Sequence, residues 1–169
     1  ELLALEAPDV AVEKLYLDEV DLTSAQATLK ARLGEAGLWT NYLGHGGGTN
    51  LSKSSLLVNA DTAAISGGSG VLNAMTCVVS LHDTPYFQSL SEALVLDADG
   101  GPVATVGPSG QSLNDLAVEL NASLLEDVFV NGQTVMGDAV SDALQGHGEV
   151  PAWMRQMYNL IGDVYLRLP

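Results

Sequence analysis

Short β-type apolar runs and stretches of helical spacing take turns along this chain, and two of the β-type runs lead straight into glycine-rich loops. Strands that alternate with helices are joined by crossovers, so the pattern predicts a three-layer αβα sandwich, a mostly parallel sheet with helices on both faces. Sheets of this kind collect their ligand sites in the loops beyond the carboxyl ends of the strands. Here those loops follow Leu43, Cys77 and Val106.

In detail, residues 14–17 read as a short strand. Thr23-Ser24-Ala25-Gln26 offers a capping box for a helix whose apolar stripe is Leu22, Ala25, Leu29 and Leu33, with Gly37 closing it. Residues 38–43 form a strand that runs into Gly44-His45-Gly46-Gly47-Gly48. A helix over about residues 56–65, a turn at 66–70 and a buried strand over 71–79 follow, placing Cys77 near that strand's carboxyl end. Ser89-Leu90-Ser91-Glu92 is a second capping box before a short helix, and residues 102–106 are a strand that leaves through Gly107-Pro108-Ser109-Gly110. Helical spacing returns in Leu113, Leu116, Ala117, Leu120, Leu124 and Val128. It recurs in Met136, Ala139, Val140, Ala143 and Leu144, and Asn131-Gly132 divides the two helices. Pro151 suits the first turn of a last helix carrying Trp153, Met157, Leu160 and Ile161, with residues 164–168 as a final strand.

With 169 residues and 47% hydrophobic content, the chain can bury one sizeable core, and the expectation is one domain over residues 1–169. Six Lys and Arg against 21 Asp and Glu give a formal charge of -15, which excludes unaided binding to a phosphate backbone. The acidity otherwise reads as solubility, as in a salty or extracellular setting. A single cysteine forms no internal disulfide and leaves one thiol free for chemistry. Glu1-Leu2-Leu3-Ala4 does not resemble a signal peptide, and no apolar run approaches the roughly 18 residues that span a bilayer, so a soluble chain or a processed piece of a longer one is expected.

A thiol is a strong nucleophile as thiolate, so a catalytic cysteine needs a nearby base, usually histidine. His45 and Cys77 supply that pair, each at the exit of its own predicted strand. Taken alone, Cys77 reads as an inert core thiol, and the Gly44–Gly48 glycines as a turn or an anion-binding nest. Their shared position at strand exits favours chemistry. Glycines beside His45 leave room for a peptide and free the Gly46 amide to face a developing oxyanion, with the Cys77 amide as second donor. His82 lies too close in sequence to Cys77 to fold back as its base, and His147, between two glycines, is a turn residue. Three scattered histidines and one cysteine lack zinc-ligand spacing, so neither a metal nor another cofactor is expected. An esterase fails because Ser69 and Ser109 have Val71 and Gln111 where a nucleophile elbow needs its second glycine. A dinucleotide fold fails for want of Gly-x-Gly-x-x-Gly after a strand.

Four segments, Asn41-Tyr42-Leu43-Gly44-His45-Gly46, Ala74-Met75-Thr76-Cys77, Ser91-Glu92-Ala93-Leu94 and the run from Tyr158-Asn159-Leu160-Ile161-Gly162-Asp163 to Leu168, resemble the gingipain-like cysteine peptidases, which share the caspase-type fold. The resemblance implies an endopeptidase with His45 as the catalytic histidine and Cys77 as the nucleophile, acting through a thioester. It also implies that Gly107, Pro108 and Ser109 help line the pocket for the residue before the scissile bond. Gly162-Asp163 would turn into the last strand, where the family usually has proline and this chain has Val164. Two other functions stay open: a caspase-fold scaffold with a mute dyad, and a sortase-like transpeptidase acting on secreted proteins.

Caspase-type sheets run in the order two, one, three, four, five, six. Matched to that order, residues 14–17 would be the second strand and residues 38–43 the third, so the first is missing. An N-terminal segment of the same precursor is the expected donor, which makes residues 1–169 the larger, C-terminal part of a catalytic domain. The acidic residue that sets Arg or Lys preference in gingipains falls upstream of anything here, and Asp83 and Asp115 read as solvated or capping carboxylates. A polypeptide substrate, an extracellular or cell-surface location and no nucleic-acid or membrane-spanning partner complete the expectation.

Overall fold

The computed structural model describes residues 10–35, 39–146 and 150–168. In chain order its strands are Trp39–Leu43 (β1), Gly46–Gly47 (β2), Asn50–Leu51 (β3), Leu57–Val58 (β4), Val71–Met75 (β5), Ala104–Pro108 (β6) and Tyr158–Gly162 (β7). Its α-helices are Leu22–Gly34 (α1), Leu90–Leu96 (α2), Asn114–Phe129 (α3), Met136–Gly146 (α4) and Ala152–Gln156 (α5). The main sheet runs β1-β5-β6-β7, parallel across its first three strands and antiparallel at β7, while β2, β3 and β4 form a small antiparallel sheet.

Side chains of a strand alternate between faces, and β5 is buried along its whole length, so it feeds two cores. Val71 and Met75 join Ala104 and Val106 against α3 and α4, where Trp39 meets Phe129 edge-on at 5.8 Å. Leu72 and Ala74 point the other way, into a cluster with Ala25, Leu29 and Leu33 of α1 and Leu90 and Leu94 of α2. The result is the expected αβα sandwich. No helix among the described residues is long and apolar enough to cross a membrane.

Several expectations are corrected. Residues 14–17 form no strand; Tyr16 and Leu17 are 49% and 42% exposed, because an extended segment becomes a strand only when its backbone groups find a ladder partner. The cap of α1 is Asp21, whose carboxylate accepts from the Ser24 N–H at 3.1 Å, and the Thr23 box is not used. The predicted helix at 56–65 is β4 followed by a 3-10 helix, Asn59–Ala64. β5 stops at Met75, and β6 extends to Pro108, so Gly107 and Pro108 belong to a strand instead of a loop. Leu160 and Ile161 lie in β7, where they pair with Val106 and Thr105, and residues 164–168 keep only the Val135–Arg167 bridge. Gly162, at φ 138°, therefore ends the last strand instead of opening it. The Ser89 capping box is confirmed, with Glu92 answering the Ser89 N–H at 2.9 Å. Gly37, Leu38, His147 and residues 1–4 lie outside the described residues.

Candidate active site

The strands β1 and β5 leave the sheet at one level. Leu43 pairs with Met75, and the Gly44 N–H donates to the Met75 carbonyl at 3.4 Å. Two residues beyond each pair member stand His45 and Cys77. The loops also touch, since a Cβ on Gly46 would collide with the Thr76 hydroxyl. The backbone of His45 is clamped: its carbonyl accepts from the Ser52 N–H at 2.7 Å and from the Tyr42 hydroxyl at 2.6 Å. Burial pushes the Tyr42 phenol up, which keeps it a donor. Hydrogen-bonded and non-bonded pairs alternate in an antiparallel ladder, and His45 with Ser52 is a bonded pair, so the Gly46 amide points away from β3. That orientation leaves it available to an oxyanion.

Cys77 is half-buried, and its thiol donates to the Ser112 carbonyl at 3.6 Å. The His45 ring is exposed and makes no hydrogen bond among the described residues, so the two loops are brought together while the two side chains are not bonded. Directly after the thiol, Val78 holds φ 47°, a left-handed conformation that costs a β-branched residue about 1–3 kcal/mol. Its neighbours impose it. The Val78 N–H donates to the Gly110 carbonyl at 2.9 Å and the Ser80 N–H to the Pro108 carbonyl at 3.0 Å, bolting the turn after Cys77 to the end of β6.

Gly107 and Pro108 are buried in that joint, and a Cβ on Gly107 would come within 2.5 Å of Val79 Cγ1. Ser109 gives both its N–H (2.7 Å) and its hydroxyl (3.2 Å) to the Met157 carbonyl. Any pocket in this region is therefore shaped by a rigid strand end. Elsewhere, His82 Nδ1 lies 2.9 Å from the Ser80 carbonyl, and Asp83 and Asp115 are exposed.

Sequence reasoning missed two residues beside the thiol. The Ser112 and Tyr158 hydroxyls are 2.7 Å apart, and Tyr158 is 4% exposed. No local spacing signals the pair, because 46 positions separate them. Burial, with a smaller contribution from the Cys77 charge, pushes the Tyr158 phenol up to about 12 from 10.0. A folded-state value above the unfolded one stabilises the fold fully below pH 10, and that contribution fades as pH rises toward 12. Alkaline unfolding of the wild type is thus expected to lose on the order of 2 kcal/mol between those limits that Tyr158→Phe does not lose, as measured by urea midpoints at stepped pH.

A mostly parallel sheet flanked by helices matches the caspase-like fold of the gingipains. The chain belongs to peptidase family C25, whose model matches residues 1–169. Among solved structures it is similar to the Arg-specific cysteine proteinase gingipain R, at TM-score 0.73 and 14% identity, over 85% of this chain and 36% of that one. It is likewise similar to the complex of the pro- and mature domains of RgpB from Porphyromonas gingivalis, at TM-score 0.72 and 15% identity, over 85% of this chain and 37% of that one. At such identity the likeness shows the fold, and the chain spans about a third of the length of those proteins. No curated protein matches.

Proposed function

We propose that residues 1–169 are the larger, C-terminal part of the catalytic domain of a cysteine endopeptidase, with Cys77 as nucleophile and His45 as base. The observation that carries this is the shared level at which β1 and β5 deliver those residues, fixed by the Leu43–Met75 pairing. His45 takes the thiol proton, and the sulfur attacks the scissile carbonyl carbon. The C–S bond forms while the carbonyl oxygen becomes an oxyanion facing the Gly46 and Cys77 amides. Collapse breaks the C–N bond, and the amine leaves with the proton held by His45. Water then cleaves the thioester, releasing the acid and restoring the thiol. Gly107, Pro108 and Ser109 form the wall of the pocket for the residue before the scissile bond. A polypeptide substrate in an extracellular or cell-surface setting fits the charge of -15.

An acyloxymethyl-ketone peptide probe tests the proposal. Labelling confined to Cys77 and lost in His45→Ala supports the dyad; labelling that is absent or indifferent to His45 favours the scaffold. Transfer of the acyl group to an added amine in preference to water would mark a transpeptidase.

The same proposal includes a partner, a β-strand from the N-terminal part of the precursor that pairs with the outer edge of β1. Among the described residues β1 is the end strand of the main sheet, and end strands present unpaired backbone groups. Cavities of about 590 and 250 Å³ separate that edge from residues 13–17, and Leu43, Tyr16 and Leu17 are exposed there. Addition of the upstream segment is expected to slow amide hydrogen exchange over Trp39–Leu43 by at least about tenfold. Unchanged exchange at saturating segment would refute it.

A further inference from the structure

Peptide hydrolysis by Cys77 and His45 requires neither Ser112 nor Tyr158, yet both are tied to the thiol. Tyr158 opens β7 and pairs with Pro108, the last residue of β6, so its backbone is fixed to the sheet. From there its phenol reaches the Ser112 hydroxyl at 2.7 Å, and the carbonyl of that same serine accepts the Cys77 thiol at 3.6 Å. Ser112 sits between the Ser109-Gly110 turn, whose Gly110 carbonyl accepts the Val78 N–H, and the start of α3.

We propose that Tyr158 and Ser112 are positioning residues for the nucleophile: the bond between their hydroxyls holds the Ser112 carbonyl against the thiol and keeps Cys77 directed at that carbonyl until it is recruited. The inference rests on Cys77 being the nucleophile. A carbonyl oxygen accepts from S–H and repels S⁻, so this contact favours the neutral thiol. Ionisation then requires the sulfur to turn from Ser112 toward the exit of β1. Fixing the carbonyl thus sets the direction of the resting thiol, and freeing it should show in the pH dependence of alkylation. Tyr158 from β7 is the titratable group whose charge interacts with Cys77, and Asp115 in the first turn of α3 is exposed.

The test is the pH dependence of Cys77 alkylation by iodoacetamide in the full chain, for wild type, Tyr158→Phe, Ser112→Ala and the double variant. Each single change should move the alkylation midpoint down by about half a pH unit, a rate gain of about threefold below the midpoint. Because both changes break one bond, the double variant should shift no further than either single one. Midpoints that stay at the wild-type pH while thermal stability falls would overturn the proposal, leaving the pair a structural contact, and additive shifts would overturn it as well. If Tyr158→Phe does not fold, Ser112→Ala alone decides, since it keeps the backbone carbonyl and removes only the hydroxyl that orients it. The same profile in His45→Ala separates this proposal from the dyad. A shift on Tyr158→Phe with no response to His45→Ala sinks the dyad alone, and the reverse pattern sinks the positioning role alone.

Discussion

His45→Ala is expected to lower peptide hydrolysis by about 10²–10⁴-fold while leaving the thermal midpoint close to that of the wild type. The reason lies in how unequally the histidine is used. Its backbone carbonyl is bonded to Ser52 and Tyr42, contacts that alanine keeps, whereas its ring is exposed and makes no hydrogen bond among the described residues. Surface changes of this kind usually alter stability by no more than about 0.5 kcal/mol. A loss of rate at constant stability therefore isolates the proton-transfer role. Cys77→Ala should abolish hydrolysis and labelling together. His82→Ala is the control, since that ring lies against the Ser80 carbonyl, and it should retain rates within about threefold of wild type. Hydrolysis by His45→Ala that stays within tenfold of wild type would sink the dyad.

The parts of this fold that the sequence discloses are those decided by near neighbours. The Leu116, Leu120 and Leu124 spacing falls within α3, and Ser89 caps α2 with Glu92 in reply, because both signals act within a turn or two of the chain. Residues 14–17 carry the same β-type composition as β1 but pair with no strand among the described residues, and composition does not report a partner. Leu160 and Ile161 keep helical spacing with Met157 yet serve β7, where alternation across the antiparallel ladder with β6 puts them on opposite faces. The site divides the same way. His45 and Cys77 are legible because each ends a strand-type run, and strand exits are where parallel sheets act. Ser112 and Tyr158 are not, because their relation to the thiol exists only after β7 has docked on β6.

Asn73→Asp is expected to remove about 3–5 kcal/mol at pH 7, a large fraction of the 5–15 kcal/mol that holds a typical domain. Asn73 is wholly buried in the middle of β5, and both hydrogens of its amide are spent: one on Asn41 Oδ1 at 2.7 Å in β1, the other on Asn121 Oδ1 at 2.8 Å in α3. Aspartate has the same shape and reverses the chemistry, setting a buried carboxyl against two carbonyl oxygens. The penalty depends on pH in a definite direction. Burial raises the folded-state pKa of the new carboxyl above its unfolded value near 4, so the variant loses stability progressively as pH climbs from about 4. Below that range the protonated acid donates to one of the two oxygens and recovers part of the loss. Asn73→Leu, which removes the donors without adding charge, should cost about 1–3 kcal/mol and show no such slope. Urea unfolding at pH 4.5 and pH 7 measures both, and an aspartate variant within 1 kcal/mol of wild type at pH 7 would refute the account. The consequence for chemistry follows from position. Asn41 and Asn73 sit two residues before the paired Leu43 and Met75, so the amide contact pins the same register that brings the His45 and Cys77 loops to one level. Loosening it should lower the rate of hydrolysis in Asn73→Leu even where that variant remains folded.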